Sequence, residues 1–270
     1  MVVALAASRH RRKIRKLNFG ELVDMTEKGP LVAMIHGADC TLGRAVAMEM
    51  SRRNVHLVLT ESDSGLSSEI ASLRHAEVKV VALSDGEKKH IPEGDSHDAV
   101  LMQRAAEAFG RLDALVNLCV PNSATTRQFL REYPGRLLDR TLTACPLIAN
   151  STASGSIVNH CFLPAMYAGT CLEQEIPMLK GAITGITRIL CRKFGLQGIR
   201  ANTVQTGFID MPETKSLASV EVLGLKSPVG RWGTPEEVAK FIAFLVLRNG
   251  YMTGQAVIMD GGLTAGMTGT

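Results

Sequence analysis

The chain has 270 residues, a formal net charge of +4, 46% hydrophobic residues and only 4% aromatic residues. This balance fits a single aliphatic-cored α/β domain and argues against a disordered chain or an aromatic-rich sandwich. No apolar run reaches the roughly 18 residues that a membrane span needs, and residues 2–7 are too short for a signal-peptide core.

The positive excess is local. Arg9, Arg11, Arg12, Lys13, Arg15 and Lys16 precede the first acid, Glu21, so residues 1–30 read as a basic extension and 31–270 as one domain. A solvated or partner-contacting tail is the leading reading of that head, and an acid-poor targeting leader to an organelle matrix is the alternative to a cytoplasmic protein. Nucleic acid is disfavoured, because no aromatic is interleaved with the basic residues as a stacking platform. Cys40, Cys119, Cys145, Cys161, Cys171 and Cys191 are scattered without a CxxC pair, which suggests no zinc site and a reducing compartment.

In chain order, short apolar runs predict strands at Leu31 to His36, Val55 to Thr60, Val78 to Leu83, Leu112 to Leu118, Ser156 to Cys161, Ile199 to Gln205 and Gln255 to Met259. Several are apolar throughout, the mark of strands buried on both faces. Helical patterns lie between them, at Thr41 to Arg53, Ala99 to Phe109, Met178 to Gln197 and Pro235 to Leu247. The last has the clearest start: Thr234 with Glu237 makes a capping-box pattern, and Pro235 takes the first helical position. Asn150 to Gly155 is rich in small residues and reads as a loop. The alternation predicts βαβ units and a doubly wound, seven-stranded parallel sheet.

The first strand runs into His36-Gly37-Ala38-Asp39-Cys40-Thr41-Leu42-Gly43-Arg44 and then a helix, the place where a dinucleotide-binding fold holds pyrophosphate. The loop resembles the TGxxxGxG of short-chain dehydrogenases, with His36 for the threonine and Thr41 for the middle glycine. A β-branched side chain at Thr41 takes up space that a phosphate would use, and Asp39 adds an unfavourable charge unless it turns outward. Both a cofactor site and an inherited strand-to-helix turn without a ligand remain open at this point. Glu61, after the second strand, stands where an acid can hold ribose hydroxyls, which leans toward NAD over NADP; with Asp63 nearby, a solvated loop charge is the other reading.

From residue 31 onward the chain resembles the classical short-chain dehydrogenase/reductase family, near the bacterial β-ketoacyl carrier-protein reductases. The most specific segments are Gly230-Arg231-Trp232-Gly233-Thr234-Pro235-Glu236-Glu237-Val238-Ala239, Tyr251-Met252-Thr253-Gly254-Gln255 and Asp260-Gly261-Gly262. The resemblance implies a Rossmann fold, a homo- or hetero-oligomer with another subunit of this fold, and a small-molecule or carrier-bound carbonyl or alcohol as substrate. It also implies NAD or NADP as cofactor, with Gly37, Leu42, Gly43, Glu61, Asp85, Asn117, Lys180 and Gly207 as contacts.

The family's chemistry fails to map. The NNAG that should end the fourth strand reads Asn117-Leu118-Cys119-Val120, Thr206-Gly207 replaces Pro-Gly, and Met211 replaces a hydrogen-bonding threonine. Lys180 matches the family lysine, but four residues earlier stands Ile176 where the proton-donating tyrosine belongs. Phe162 takes the place of the serine, and the asparagine falls at Pro134 or Cys145. Hydride reaching a carbonyl carbon leaves charge on oxygen, which a positioned donor must neutralise. Tyr167 is the candidate replacement donor, and His160 or Cys161 is a weaker one, since only one of two adjacent strand residues can face a given way. The leading expectation is a non-catalytic or strongly impaired partner subunit of an NAD(P)-dependent oxidoreductase assembly. The alternative is a carbonyl reductase or alcohol dehydrogenase using Lys180 and Tyr167.

Overall fold

In the computed structural model of the chain, the described residues are 29–60, 65, 68–70, 78–82, 97–120, 125–151, 154–162, 175–215 and 227–265. The basic segment, Glu61, Asp85 and Tyr167 lie outside them. Seven strands form one parallel sheet: β1 (Val32–His36), β2 (His56–Leu59), β3 (Val80–Ala82), β4 (Ala114–Asn117), β5 (Gly155–Phe162), β6 (Ile199–Thr206) and β7 (Ala256–Met259), in the order β3-β2-β1-β4-β5-β6-β7. The predicted doubly wound Rossmann sheet is therefore present, and its order reverses between β1 and β4, where ligands of such sheets bind beyond the strand ends.

The helices are α1 (Thr41–Ser51), α2 (His97–Phe109), α3 (Arg127–Ser151), α4 (Glu175–Phe194), the single-turn α5 (Pro212–Lys215) and α6 (Pro235–Leu247). They cover both faces, so the continuous apolar strands make sense: every residue of β5 and β6 is buried. One face packs Met34, Leu115 and Ile157 against α3 and α4 residues such as Leu137 and Ile183. The other packs Ile35, Val116 and Val158 against Leu42 and Val46 of α1 and Ile242 of α6. Burying one such side chain contributes about 1.5–3 kcal/mol.

The long α3 departs from the expectation. It spans 25 residues with Pro134 and Pro146 inside it, and two interior prolines hide a helix from a sequence reading because each removes a backbone donor. It also runs through Ser151, so the expected loop from Asn150 starts later. The capping box of α6 is formed as predicted: the Thr234 hydroxyl accepts from the Glu237 amide at 3.3 Å, and the Thr234 amide donates to Glu237 Oε2 at 2.8 Å.

The C-terminal motif residues act as fasteners. Asn202 of β6 donates to the Met252 carbonyl at 2.8 Å and accepts from the Gln255 amide at 3.2 Å. Asp260 accepts from the amides of Gly262 and Thr264 at 2.9 and 2.7 Å. These bonds close the turns around β7.

Candidate functional site

The parallel sheet sets the C-terminal ends of β1, β4, β5 and β6 along one edge, and the turn that opens α1 follows β1 and meets Leu118 after β4. Gly37 there has φ +85, and a Cβ on it would stand 2.9 Å from the Leu118 carbonyl oxygen. A Cβ on Gly43 would fall 2.2 Å from the Gly37 oxygen. Both glycines are thus required by the turn itself, whether or not anything binds there.

Cys40 caps α1, accepting at its sulfur from the Gly43 amide at 3.3 Å while its thiol donates to the Gly37 carbonyl. Burial pushes this thiol up to about 11, with the Gly43 and Leu42 amides opposing and the negative charges of Glu213 and Asp39 adding to it. Asp39 does turn outward and is exposed. The Thr41 amide donates to Glu213 Oε1 at 2.7 Å, across 172 residues of sequence. Leu42 is fully buried in the core, so only its backbone is left to face a ligand.

A dinucleotide's pyrophosphate needs these first amides of the helix. Here the Thr41 amide holds a carboxylate, and the Leu42 and Gly43 amides face the Cys40 sulfur. In this conformation the residues present do not fit the pyrophosphate.

Asn117 is wholly buried and its side chain is spent internally. It donates to Asn159 Oδ1 at 2.9 Å and accepts from Arg140 Nη1 at 3.2 Å. Asn159 donates in turn to the Thr187 hydroxyl at 2.9 Å, which meets the Thr203 hydroxyl at 2.7 Å. The pairing register aligns Asn117, Asn159 and Thr203 across three strands, so a polar ladder crosses the sheet where α3 and α4 cover it. Arg140 and Tyr133, both buried on α3, were not anticipated from the sequence; their only signal was an unrecognised helix face.

Ile176 is 4% exposed and packs in the core cluster that contains Leu179 and Cys161. Phe162 meets Phe208 edge-on at 6.3 Å between ring centroids, and Phe208 stacks on Trp232 at 5.7 Å. Ile176 and Phe162 are thus both held in hydrocarbon surroundings. Of the two places for the asparagine, Pro134 is half-buried within α3, and Cys145 is buried, which pushes its thiol up to about 12, with Lys193 near the end of α4 opposing.

His160 and Cys161 diverge as adjacent strand residues must. His160 Nε2 meets the Thr206 hydroxyl at 2.9 Å, and burial lowers its pKa to about 4, opposed by the Cys119 backbone. Cys161 faces α4; burial raises its thiol to about 12, with Lys180 pulling the other way. A thiol this weakly acidic is a poor proton donor. Lys180 itself is half-buried and lies close enough to act on Cys161. Gly207 follows β6, and a Cβ there would stand 2.7 Å from the Asp260 Cα.

Among the described residues no group of three or more His, Cys, Asp or Glu side chains could hold a metal. No described helix is long and apolar enough to cross a membrane.

Comparison with known proteins agrees with this architecture. The family profile described as Enoyl-(Acyl carrier protein) reductase matches residues 37–264. The (2S)-[(R)-hydroxy(phenyl)methyl]succinyl-CoA dehydrogenase subunit BbsC of Thauera aromatica is 30% identical over 245 residues, covering 87% of this chain and 94% of that protein. A 3-oxoacyl-[acyl-carrier-protein] reductase of Synechocystis sp. is 27% identical, covering 88% and 99%. A short-chain dehydrogenase/reductase structure from Serratia marcescens superimposes with a TM-score of 0.71 at 23% identity, covering 88% of this chain and 99% of that one. Sheet order, family match and relatives together place the chain in the short-chain dehydrogenase/reductase family of oxidoreductases.

Proposed function

We propose that this chain is a non-catalytic or strongly impaired subunit that pairs with an active relative of the same fold. The observation that carries the reading is Ile176: one turn before Lys180, it puts a buried alkyl group where the family's proton donor stands. Phe162, locked against Phe208, supports it from β5. Losing a general acid costs about 10²- to 10⁴-fold in rate, and the loss of an orienting hydroxyl adds to that.

A pairing role has its own support. Among the described residues the end strand β7 pairs with β6 alone; Ile258 within it is 45% exposed and Tyr251 shortly before it 98%, and Phe244 on α6 is 41% exposed. An open edge flanked by apolar side chains is a natural place for another chain. One relative is itself named as a dehydrogenase subunit acting on a CoA thioester. Association in a reducing compartment such as the cytoplasm completes the proposal, with Glu61 favouring NAD over NADP for any cofactor site this chain retains.

The second reading is an enzyme of altered mechanism in which Lys180 and a displaced donor such as Tyr167 act together. The half-buried Lys180 near Cys161 favours it, since a lysine of the expected register is retained beside the strand ends.

Turnover separates the two. The purified chain is expected to oxidise no NADH or NADPH across a panel of ketones and β-ketoacyl thioesters. The double variant Ile176→Tyr and Phe162→Ser is expected to gain measurable reduction. Rapid ketone turnover by the unaltered protein alone, undiminished in Tyr167→Phe, would overturn the proposal.

A further inference from the structure

The segment after β6 is tied down at two ends. At its base, Ile209 bridges Gly233, the Gly233 amide donates to the Phe208 carbonyl at 2.9 Å, and the Asp210 amide donates to the Gly233 carbonyl at 2.8 Å. Met211 is 1% exposed and packs in the α1 and α6 side of the core. At its tip, α5 carries Glu213 to the start of α1, where Oε1 accepts from the Thr41 amide at 2.7 Å. A carboxylate at that place satisfies a backbone donor that the helix cannot satisfy itself and sits at the positive end of the helix dipole.

This is the same chemistry that a pyrophosphate oxygen would supply. The Gly43 amide donates to the Cys40 sulfur and the Leu42 amide acts on the same sulfur, so the amides that open α1 are turned toward groups of this chain. A diphosphate arriving here meets a fixed negative charge and an occupied donor. We propose that Glu213 is an autoinhibitory latch: its carboxylate stands in for the dinucleotide's pyrophosphate at the start of α1, and a nicotinamide dinucleotide binds only when the Met211–Lys215 strap releases Thr41.

The strap has the construction such a release needs. Its base is held by backbone bonds, by the buried Met211 and by the Phe208 stack on Trp232, while at its tip, beside the buried Thr214, Glu213 accepts the charge-assisted hydrogen bond from the Thr41 amide of α1. The Lys215 ammonium pairs with Asp210 Oδ1 at 2.6 Å beside the tied base, and both side chains are largely exposed, so water can replace that ion pair when the tip moves. The binding penalty equals the ratio of latched to released molecules, on the order of 10- to 100-fold for one charge-assisted bond at a helix start.

This inference concerns binding and stands apart from the proposed loss of chemistry, which turnover tests. NADH fluorescence titration of the full chain is expected to give a dissociation constant 10- to 100-fold lower for Glu213→Ala than for the unaltered protein. Glu213→Gln, which keeps an acceptor oxygen and loses the charge, is expected to fall between them. In amide hydrogen exchange of the unaltered chain, Thr41 is expected to be protected, and in Glu213→Ala to exchange faster while Val58 in β2 stays unchanged. Equal NADH affinity in the unaltered chain and Glu213→Ala, no NADH binding by a folded Glu213→Ala, or free exchange at Thr41 in the unaltered protein would each overturn the latch.

Discussion

Ile176 and Lys180 stand one helical turn apart on α4, the first 4% exposed within the core and the second half-buried and close enough for its charge to act on the Cys161 thiol. The pair divides packing from polarity along one face. Ile176→Ala is therefore expected to cost about 2–4 kcal/mol through the cavity it leaves. Lys180→Ala is expected to change stability by less than about 1 kcal/mol. Urea unfolding followed by circular dichroism measures both, and a costly Lys180→Ala beside a harmless Ile176→Ala would contradict the packing described.

The polar ladder makes a sharper prediction. Asn159→Leu strands the buried Asn117 amide donor and takes one of two partners from the buried Thr187 hydroxyl, which keeps Thr203. A stranded donor costs about 1–3 kcal/mol and a lost hydrogen bond about 0.5–1.5 kcal/mol, so the variant is expected to lose about 2–4 kcal/mol in the same unfolding measurement. A loss near that of an exposed substitution would mean that water reaches the ladder.

His160 ties stability to pH. Its native pKa of about 4, set chiefly by burial, lies below the ordinary 6.5, so the unfolded chain takes up the proton first. The stabilisation is fully present above about 6.5, declines as pH falls toward 4, and is lost below that. At 1.36 kcal/mol per pH unit the total is on the order of 3 kcal/mol. Thermal unfolding between pH 4 and 7 is expected to show this decline, and His160→Asn is expected to flatten it. An unchanged slope in the variant would assign the pH dependence elsewhere.

Two glycines of similar sequence prominence are expected to behave oppositely. A Cβ at Gly43 falls 2.2 Å from the Gly37 oxygen, whereas one at Gly181 meets nothing within 4 Å. Gly43→Ala is expected to destabilise the fold by more than about 3 kcal/mol, since backbone must move. Gly181→Ala, inside α4, is expected to stabilise by about 0.5–1 kcal/mol. Differential scanning calorimetry of the two variants checks both signs.

At the start of α6, Thr234→Ala removes the acceptor for the Glu237 amide. A lost N-cap costs about 1 kcal/mol, read as a shift of the thermal midpoint by about 2–4 °C in a domain of this size.

Apolar strand runs separated by helical patterns determined the α/β class, the seven strands and the start of α6, because burial of a sheet on both faces writes itself directly into local hydropathy. The absence of a hydroxyl at Ile176 was equally legible, because a fixed spacing from Lys180 within one helix needs no tertiary information. The 25-residue α3 was hidden by its two prolines, and with it the buried Arg140 and Tyr133. What Asn117 does was decided only by folding: its partners come from β5 and α3, 42 and 23 residues away. The meeting of Thr41 with Glu213, across 172 residues, is the extreme case. A local pattern can say that a helix begins with unsatisfied amides, but which acceptor reaches them depends on where a distant strand end delivers its loop.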